Sequence, residues 1–120
     1  MNKTTLVLGA SENPDRYSNK AIHMLHSHHH NVIPVGIKKG MVNGLEIITQ
    51  PDYFKNVDTV TMYINPTLQE KWYDYILSLH PRRIIFNPGT ENESFEKLAN
   101  AHGIETIEAC TLVMLSTGQY

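Results

Sequence analysis

Short apolar runs that alternate with amphipathic stretches constrain the fold of this chain more than any other feature. Such runs, bounded by polar or glycine-containing loops, are typical of strands that are covered on both faces. The five predicted strands lie at residues 4–9, 31–35, 59–64, 83–86 and 104–108. Strands connected through helices form right-handed crossovers and a parallel sheet. The pattern therefore predicts an α/β fold: a doubly wound parallel sheet of about five strands with helices on both faces.

Helical spacing of apolar residues appears in three of the intervening segments. The first helix is predicted at residues 17–28. Asn65 and Pro66, a cap residue followed by a first-turn proline, predict the start of the second. The third is predicted at residues 93–102 and ends at a glycine.

Two segments have no clear helical pattern. Residues 39–54 are expected to be irregular, with room for one short extended piece at residues 45–49. The segment after Cys110 is apolar enough to pack against the rest of the protein.

Length and composition indicate a small globular protein. The 120 residues, 41% of them hydrophobic, support a single domain over residues 1–120. One cysteine excludes a disulfide scaffold and a four-thiolate zinc site. Because no apolar run approaches about 20 residues, we expect no membrane association and a cytoplasmic location.

Charge is distributed unevenly along the sequence. Residues 16–45 contain no carboxylate and carry a charge of +4, whereas the whole chain carries -2. The four cations in this region are Arg16, Lys20, Lys38 and Lys39. A basic region of this kind is typical of a site for a phosphate-bearing ligand. Nucleic acid is disfavoured because the overall balance is acidic and no aromatic residues alternate with basic ones.

Five histidines lie in the same region, but we predict no metal site from them. They are His23, His26, His28, His29 and His30. Adjacent side chains point in different directions, and no carboxylate stands near them in the sequence.

Three loops are expected to meet at the carboxyl ends of the strands, where doubly wound sheets bind ligands. They span residues 9–19, 36–39 and 87–91. In the first, Gly9 allows a close backbone turn, Arg16 supplies charge, and the following helix supplies free N–H groups. A turn glycine and a helix cap without a ligand would produce a similar sequence.

The second loop indicates which nucleotide would fit. An NAD site of this type places an acidic residue at the end of the second strand. This chain has Lys38 and Lys39 there and no acid before Glu46. Lysines suit the 2′-phosphate of NADP or the 3′-phosphate of coenzyme A, unless they are simply solvated.

Several short motifs together resemble those of the small CoA-binding proteins with a Rossmann-like fold. They are Gly9-Ala10-Ser11, Asn13-Pro14, Arg16-Tyr17-Ser18-Asn19, Ile33-Pro34-Val35, Val57-Asp58-Thr59-Val60 and Cys110. The resemblance extends from about residue 4 to residue 115. The same fold is that of the nucleotide-binding domain of the succinyl-CoA synthetase alpha subunit. The resemblance implies a Rossmann-like sheet that binds coenzyme A.

The resemblance also implies which residues contact the ligand. Those expected at the phosphates or the adenosine are Gly9, Ala10, Ser11, Asn13, Arg16, Tyr17, Ser18, Asn19, Pro34, Val35, Gly36 and Lys38. Asn87 and Gly89 are added from the third loop. Two departures are Gly36-Ile37, where the family commonly has Asn-Pro, and residues 86–92, which lack the common Trp-x-Gln-x-Gly pattern.

The leading hypothesis is a non-catalytic coenzyme A (nucleotide) binding protein, and no catalytic residue is predicted. Cys110 has no neighbouring cation to lower its thiol pKa, which favours a buried structural role. One alternative is an NADP-dependent oxidoreductase. Another is a detached nucleotide-binding subunit that docks on a ligase or regulator, and a protein partner or homo-oligomer is left open.

Overall fold

The computed structural model describes residues 2–120 and contains the predicted parallel sheet. Its strands are β1 (Thr5–Leu8), β2 (Val32–Val35), a hairpin of β3 (Met41–Val42) and β4 (Leu45–Glu46), β5 (Thr59–Met62), β6 (Arg83–Phe86) and β7 (Glu105–Glu108). The helices are α1 (Tyr17–Ser27), α2 (Pro66–Gln69), α3 (Tyr73–Leu79), α4 (Glu93–Ala101) and α5 (Thr111–Ser116). The five long strands are parallel in the order β2-β1-β5-β6-β7. This α/β, Rossmann-like architecture confirms the predicted fold class.

Side chains that alternate along the strands form two apolar layers, one on each side of the sheet. Leu6 and its neighbours on one face pack with Ile76 of α3 and Phe95 of α4, all three fully buried. On the other face, Val7 packs with Ile22 of α1. Helices therefore cover both faces, which explains why the strands read as continuous apolar runs.

The segment expected to be irregular contains the β3–β4 hairpin. Its turn is Asn43-Gly44, with φ angles of 53° and 79°, the combination that two-residue hairpin turns require. Beyond the hairpin, Ile48 bridges Val35 of β2 in parallel. The extended piece predicted at residues 45–49 is thus partly β4 and partly this bridge.

The second predicted helix begins as expected but is not continuous. The Asn65 side chain accepts a hydrogen bond from the Leu68 amide at 3.0 Å, which confirms the cap. A 3₁₀ turn at Glu70–Trp72 then separates α2 from α3. The segment after Cys110 forms α5, a helix that the sequence pattern did not predict, and buries Met114 and Leu115.

A buried arginine joins the amino ends of the strands to the end of the chain. Arg83, 6% exposed, donates from Nε to Thr59 Oγ1 and from Nη2 to the Tyr120 backbone oxygen, both at 2.8 Å. Its guanidinium lies 4.4 Å from the centre of the Tyr120 ring. The Tyr120 hydroxyl also hydrogen-bonds to Thr5 of β1. Among residues 2–120, no helix has the length and apolar character needed to cross a bilayer.

Candidate functional site

A groove opens where the direction of strand order reverses. The chain passes from β1 to β2 on one side and then crosses to β5 on the other side of β1. The carboxyl ends of β1 and β5 therefore separate two sets of loops, which is the usual ligand position in such sheets. The groove has a volume of about 940 Å³. Of the predicted contacts, nine line it: Gly9, Ala10, Ser11, Asn13, Arg16, Tyr17, Ser18, Gly36 and Lys38.

The start of the β1–α1 loop (residues 9–16) lies very close to the end of β5. Gly9 has φ = 103°, and a Cβ on it would lie 3.0 Å from Ile64 Cγ2 and 3.1 Å from the Tyr63 carbonyl carbon. The Gly9 and Ala10 amides both donate to the Val35 oxygen, at 2.8 and 3.0 Å. These two residues therefore shape the loop, and their N–H groups already have partners.

Short side chains fix the rest of this loop. Ser11 Oγ accepts from the Asn13 amide at 3.1 Å, and Asn13 Oδ1 accepts from the Asp15 amide at 3.0 Å. Asn19 Nδ2 donates to the Ser11 oxygen at 2.9 Å. The Asn19 side chain is buried behind the loop, so this predicted contact supports the groove without lining it.

In the β1–α1 loop and at the start of α1, four backbone N–H groups at the groove have no partner within residues 2–120. They belong to Ser11, Glu12, Tyr17 and Ser18. Tyr17 and Ser18 start α1, and the first turn of α1 contains no acidic residue. A helix start with free N–H groups attracts anions through the groups themselves and through the helix dipole. The loop therefore presents a cluster of donors to the groove.

The charged side chains of the groove are predominantly cationic. Arg16, Lys38, Lys39 and Lys71 line it, against only Glu12 and Asp15. None of these cations takes part in the ion pairs of residues 2–120, which involve Arg82 and Lys97. Four cations without carboxylate partners make the groove attractive to an anionic ligand.

The β2–β3 loop (residues 36–40) approaches the β1–α1 loop at Gly36. A Cβ on Gly36 would lie 2.6 Å from the Ala10 oxygen and 3.1 Å from Ile47 Cγ2. Only glycine fits there without a shift, which gives a physical reason for Gly36 in this sequence. The predicted contacts Pro34 and Val35 are buried strand residues and do not line the groove.

Asn87 and Gly89, predicted from the third loop, also lie outside the groove lining. Asn87 is 2% exposed, and its Nδ2 donates to Thr61 Oγ1 at 2.7 Å and to the Met62 oxygen at 2.8 Å. Its Oδ1 accepts from the Thr111 amide at 2.8 Å. Asn87 thus joins β5, β6 and α5, and its polar atoms are already engaged. The neighbours Pro88 and Thr90 reach the groove instead.

The wall at the carboxyl end of β5 was missed by the sequence analysis. It consists of Tyr63, Ile64, Asn65, Leu68 and Trp72. This wall is largely apolar, and Leu68 is 42% exposed. The Tyr63 hydroxyl is buried without a hydrogen-bond partner within residues 2–120, and burial raises the pKa of Tyr63.

The histidine-rich region lies elsewhere. His26, His29 and His30 border a separate open hollow of about 510 Å³ beside Asn2 and Asn31. His30 Nδ1 accepts from the Lys3 amide at 3.0 Å. Desolvation lowers the pKa of His30, and the Lys3 charge adds to this effect. Within residues 2–120, no three His, Cys, Asp or Glu side chains are grouped as a metal site would require.

Cys110 differs from its predicted buried state. It is half-buried and occupies the position before the first turn of α5, with no side-chain hydrogen bond to that helix. It does not line the groove.

Comparison with known proteins identifies the family. Residues 3–116, nearly the whole chain, match the family model described as a CoA binding domain. The chain belongs to this family of CoA-binding domains. Among curated proteins, no sequence match reaches significance.

Solved structures agree with the fold. A crystal structure of an uncharacterized protein is 52% identical, with 100% of this chain and 99% of that one covered and a TM-score of 0.99. A conserved hypothetical protein from Pyrococcus furiosus is 26% identical over 94% of this chain and 98% of its own, with a TM-score of 0.80. A Thermus thermophilus protein with 24% identity, covering 99% and 91%, has the same fold at a TM-score of 0.86.

Proposed function

We propose that this CoA-binding domain binds coenzyme A in the groove between β1 and β5 and does not itself catalyse a reaction. The observation that carries the proposal is the convergence of unpaired N–H groups and unpaired cations in one groove of a CoA-binding family member. Coenzyme A carries a pyrophosphate and a separate 3′-phosphate. Its phosphate groups can accept hydrogen bonds from the N–H groups and form ion pairs with the cations.

The β1–α1 loop would hold the pyrophosphate. The amides of Ser11, Tyr17 and Ser18 are free to donate, and the Arg16 guanidinium adds a charge-assisted contact. Gly9, Ala10 and Asn13 shape this loop, as described above.

The β2–β3 loop would hold the 3′-phosphate. Lys38 and Lys39 are exposed at the rim of the groove. They take part in none of the ion pairs of residues 2–120, so their ammonium groups can bind a phosphate without breaking an ion pair. The adenosine would lie between these lysines and Tyr17, whose side chain is 69% exposed. Ile37, 81% exposed, would cover it. The 2′-phosphate of NADP would meet the same lysines, so NADP is the competing ligand.

The second part of the proposal, that the protein does not catalyse a reaction, rests on the hydrogen bonds that polar side chains of the groove form with the loops. Glu12, Ser11 and Asn13 accept hydrogen bonds from backbone amides of the loops. Their role in binding is therefore to hold the loops in place. Hydride transfer from NADPH to a panel of carbonyl compounds would overturn this part.

The experiment is a thermal unfolding series of ligand-free protein with coenzyme A, dephospho-coenzyme A, NADPH and NADH. A ligand at one hundred times its Kd adds about 2.7 kcal/mol, enough to raise Tm by about 10 °C in a chain of this size. We expect the largest shift with coenzyme A and a smaller one with dephospho-coenzyme A. A shift with NADPH alone would replace coenzyme A by NADP, and no shift with any of the four would refute the proposal.

Three variants then test the residue assignments. Arg16→Ala is expected to weaken coenzyme A binding by about 1.5 to 3 kcal/mol, the range for hydrogen bonds to charged groups. Lys38→Glu is expected to weaken binding of coenzyme A more than that of dephospho-coenzyme A. Lys55→Glu makes the same charge change at an exposed position outside the groove, and it should leave the ratio of the two affinities unchanged.

A further inference from the structure

One side chain connects the two loops that carry the cations and donors of the groove. Glu12, in the β1–α1 loop, extends across to the β2–β3 loop, where its Oε2 accepts a hydrogen bond from the Met41 amide at 3.0 Å. Glu12 also lines the groove. The sequence pattern alone indicates no role for Glu12.

Gly40 makes room for this contact. A Cβ on Gly40 would lie 2.3 Å from Glu12 Cγ, 2.4 Å from Cδ and 2.9 Å from Oε1. Every side chain other than the hydrogen of glycine would therefore displace the Glu12 carboxylate. Gly40 is also bound from the other side, because its oxygen accepts from the Ile47 amide at 2.8 Å.

The lysine-bearing part of the loop depends on contacts at its two ends. At one end Gly36 lies against the Ala10 oxygen, and at the other Glu12 binds next to Gly40. Between them, Ile37, Lys38 and Lys39 form no hydrogen bond within residues 2–120. The separation of the lysines from the β1–α1 loop is therefore set by these two points.

We propose that Glu12 and Gly40 form a latch that fixes the distance between the two anion-binding loops and thereby selects ligands with two separated phosphate groups. This inference rests on the proposed function, since it concerns the same groove. Glu12 acts as a positioning residue. Its carboxylate accepts a hydrogen bond from a backbone amide, while the cations and the free N–H groups contact the ligand. Without the latch, the lysines would still be present but would no longer be held at a fixed distance from the pyrophosphate.

The test compares the affinities for coenzyme A and dephospho-coenzyme A by titration calorimetry. For the unmodified protein we expect a preference for coenzyme A of about tenfold, which corresponds to one favourable charged contact. Glu12→Ala should reduce this preference to about twofold, while the affinity for dephospho-coenzyme A changes by less than about threefold. Glu12→Gln should retain the preference, because the amide oxygen can still accept from Met41.

A substitution at Gly40 disrupts the same contact without changing Glu12 itself. Gly40→Ala should reduce the preference as Glu12→Ala does, and the double variant should show no further reduction, because the displaced group is already gone. Glu91→Ala is the matched control: Glu91 Oε1 accepts from the Gly89 amide at 2.9 Å, and neither Gly89 nor Glu91 lines the groove. This variant should keep the full preference.

Three results would overturn the latch: an unchanged preference in Glu12→Ala, a loss in Glu12→Gln equal to that in Glu12→Ala, or a stronger coenzyme A affinity in Glu12→Gln. The last result would show that the Glu12 charge repels the ligand.

A second readout separates failure of the latch from failure of the proposed function. If the unmodified protein bound neither nucleotide, the proposed function would fail. Hydrogen exchange of the Met41 amide in ligand-free protein still tests the latch. We expect slow exchange in the unmodified protein and Glu12→Gln and fast exchange in Glu12→Ala and Gly40→Ala. Equal rates in all four would refute the latch.

Discussion

Replacing Asn87 by alanine separates a structural role from a ligand-binding role at a position where the sequence predicted binding. Its side chain makes three hydrogen bonds and is 2% exposed. Asn87→Ala leaves the Thr111 amide and the Met62 oxygen without these partners. Thr61 Oγ1 retains its hydrogen bond to Thr111 Oγ1 at 2.7 Å. Two buried groups therefore become unsatisfied.

The expected loss of stability follows from these two groups. An unsatisfied buried donor or acceptor costs about 1–3 kcal/mol, so the free energy of unfolding should fall by roughly 2–6 kcal/mol. Small proteins have unfolding free energies of about 5–15 kcal/mol, so a protein above the lower end of that range keeps a folded population for binding studies. Urea unfolding followed by circular dichroism gives the stability, and calorimetry below the transition gives the coenzyme A affinity. We expect that affinity to change by less than about twofold, because Asn87 lies outside the groove lining.

Asn100→Ala is the matched control. Asn100 is exposed, and its side-chain oxygen Oδ1 accepts a hydrogen bond from Thr106 Oγ1 at 3.1 Å. Its replacement should change the unfolding free energy by no more than about 0.5 kcal/mol. A result with the opposite pattern would refute the reasoning: Asn87→Ala would lower coenzyme A affinity more than tenfold, while its unfolding free energy stayed within about 1 kcal/mol of that of the unmodified protein. A tenfold change in affinity corresponds to about 1.4 kcal/mol of binding free energy.

Three further predictions concern other parts of the protein. Because the pKa of His30 is lowered from 6.5 in the folded state, the unfolded chain binds more protons just below pH 6.5, and stability falls as pH drops through that value. His30→Asn keeps an acceptor for the Lys3 amide and should show a smaller decrease of Tm between pH 7.5 and 5.5; equal decreases would contradict this. Gly36→Ala places a Cβ 2.6 Å from the Ala10 oxygen and should weaken coenzyme A binding at least about tenfold, as titration would measure, by moving the two loops apart. Tyr120→Phe should lower the unfolding free energy by about 1 kcal/mol through the lost hydroxyl bond and Tyr120→Leu by about 2, because leucine also removes the ring beneath the buried guanidinium; equal losses would refute the ring's contribution.

The three inner strands, β1, β5 and β6, were predictable because they are buried along their whole length. The β3–β4 hairpin was missed, although Asn43-Gly44 is a strong hairpin signal, because strands of two residues leave almost no alternating pattern. The helix α5 was missed because its apolar residues, over only six positions, do not establish a helical period.

The groove was partly predictable. The β1–α1 loop could be located because a glycine, short polar residues and a helix start follow one another directly in the sequence. The β5 wall could not, because the sequence does not reveal which strand pairs beside β1, and Tyr63 belongs to the groove only through that pairing. The position of Asn87 outside the groove lining was not predictable for a related reason: a place in a loop at the correct end of the sheet does not determine the direction of a side chain.

The bridge between Ile48 and Val35 affects how copies of this protein can associate. It occupies the carboxyl end of the outer edge of β2, where another strand would otherwise add. At the opposite edge, β7 carries Glu105 and Glu108, both exposed. Two copies joined through their β7 edges would bring like charges together, which disfavours edge-to-edge growth and aggregation. The carboxyl end of one border is thus covered by its own chain, and the other border carries like charges that oppose pairing with a second copy.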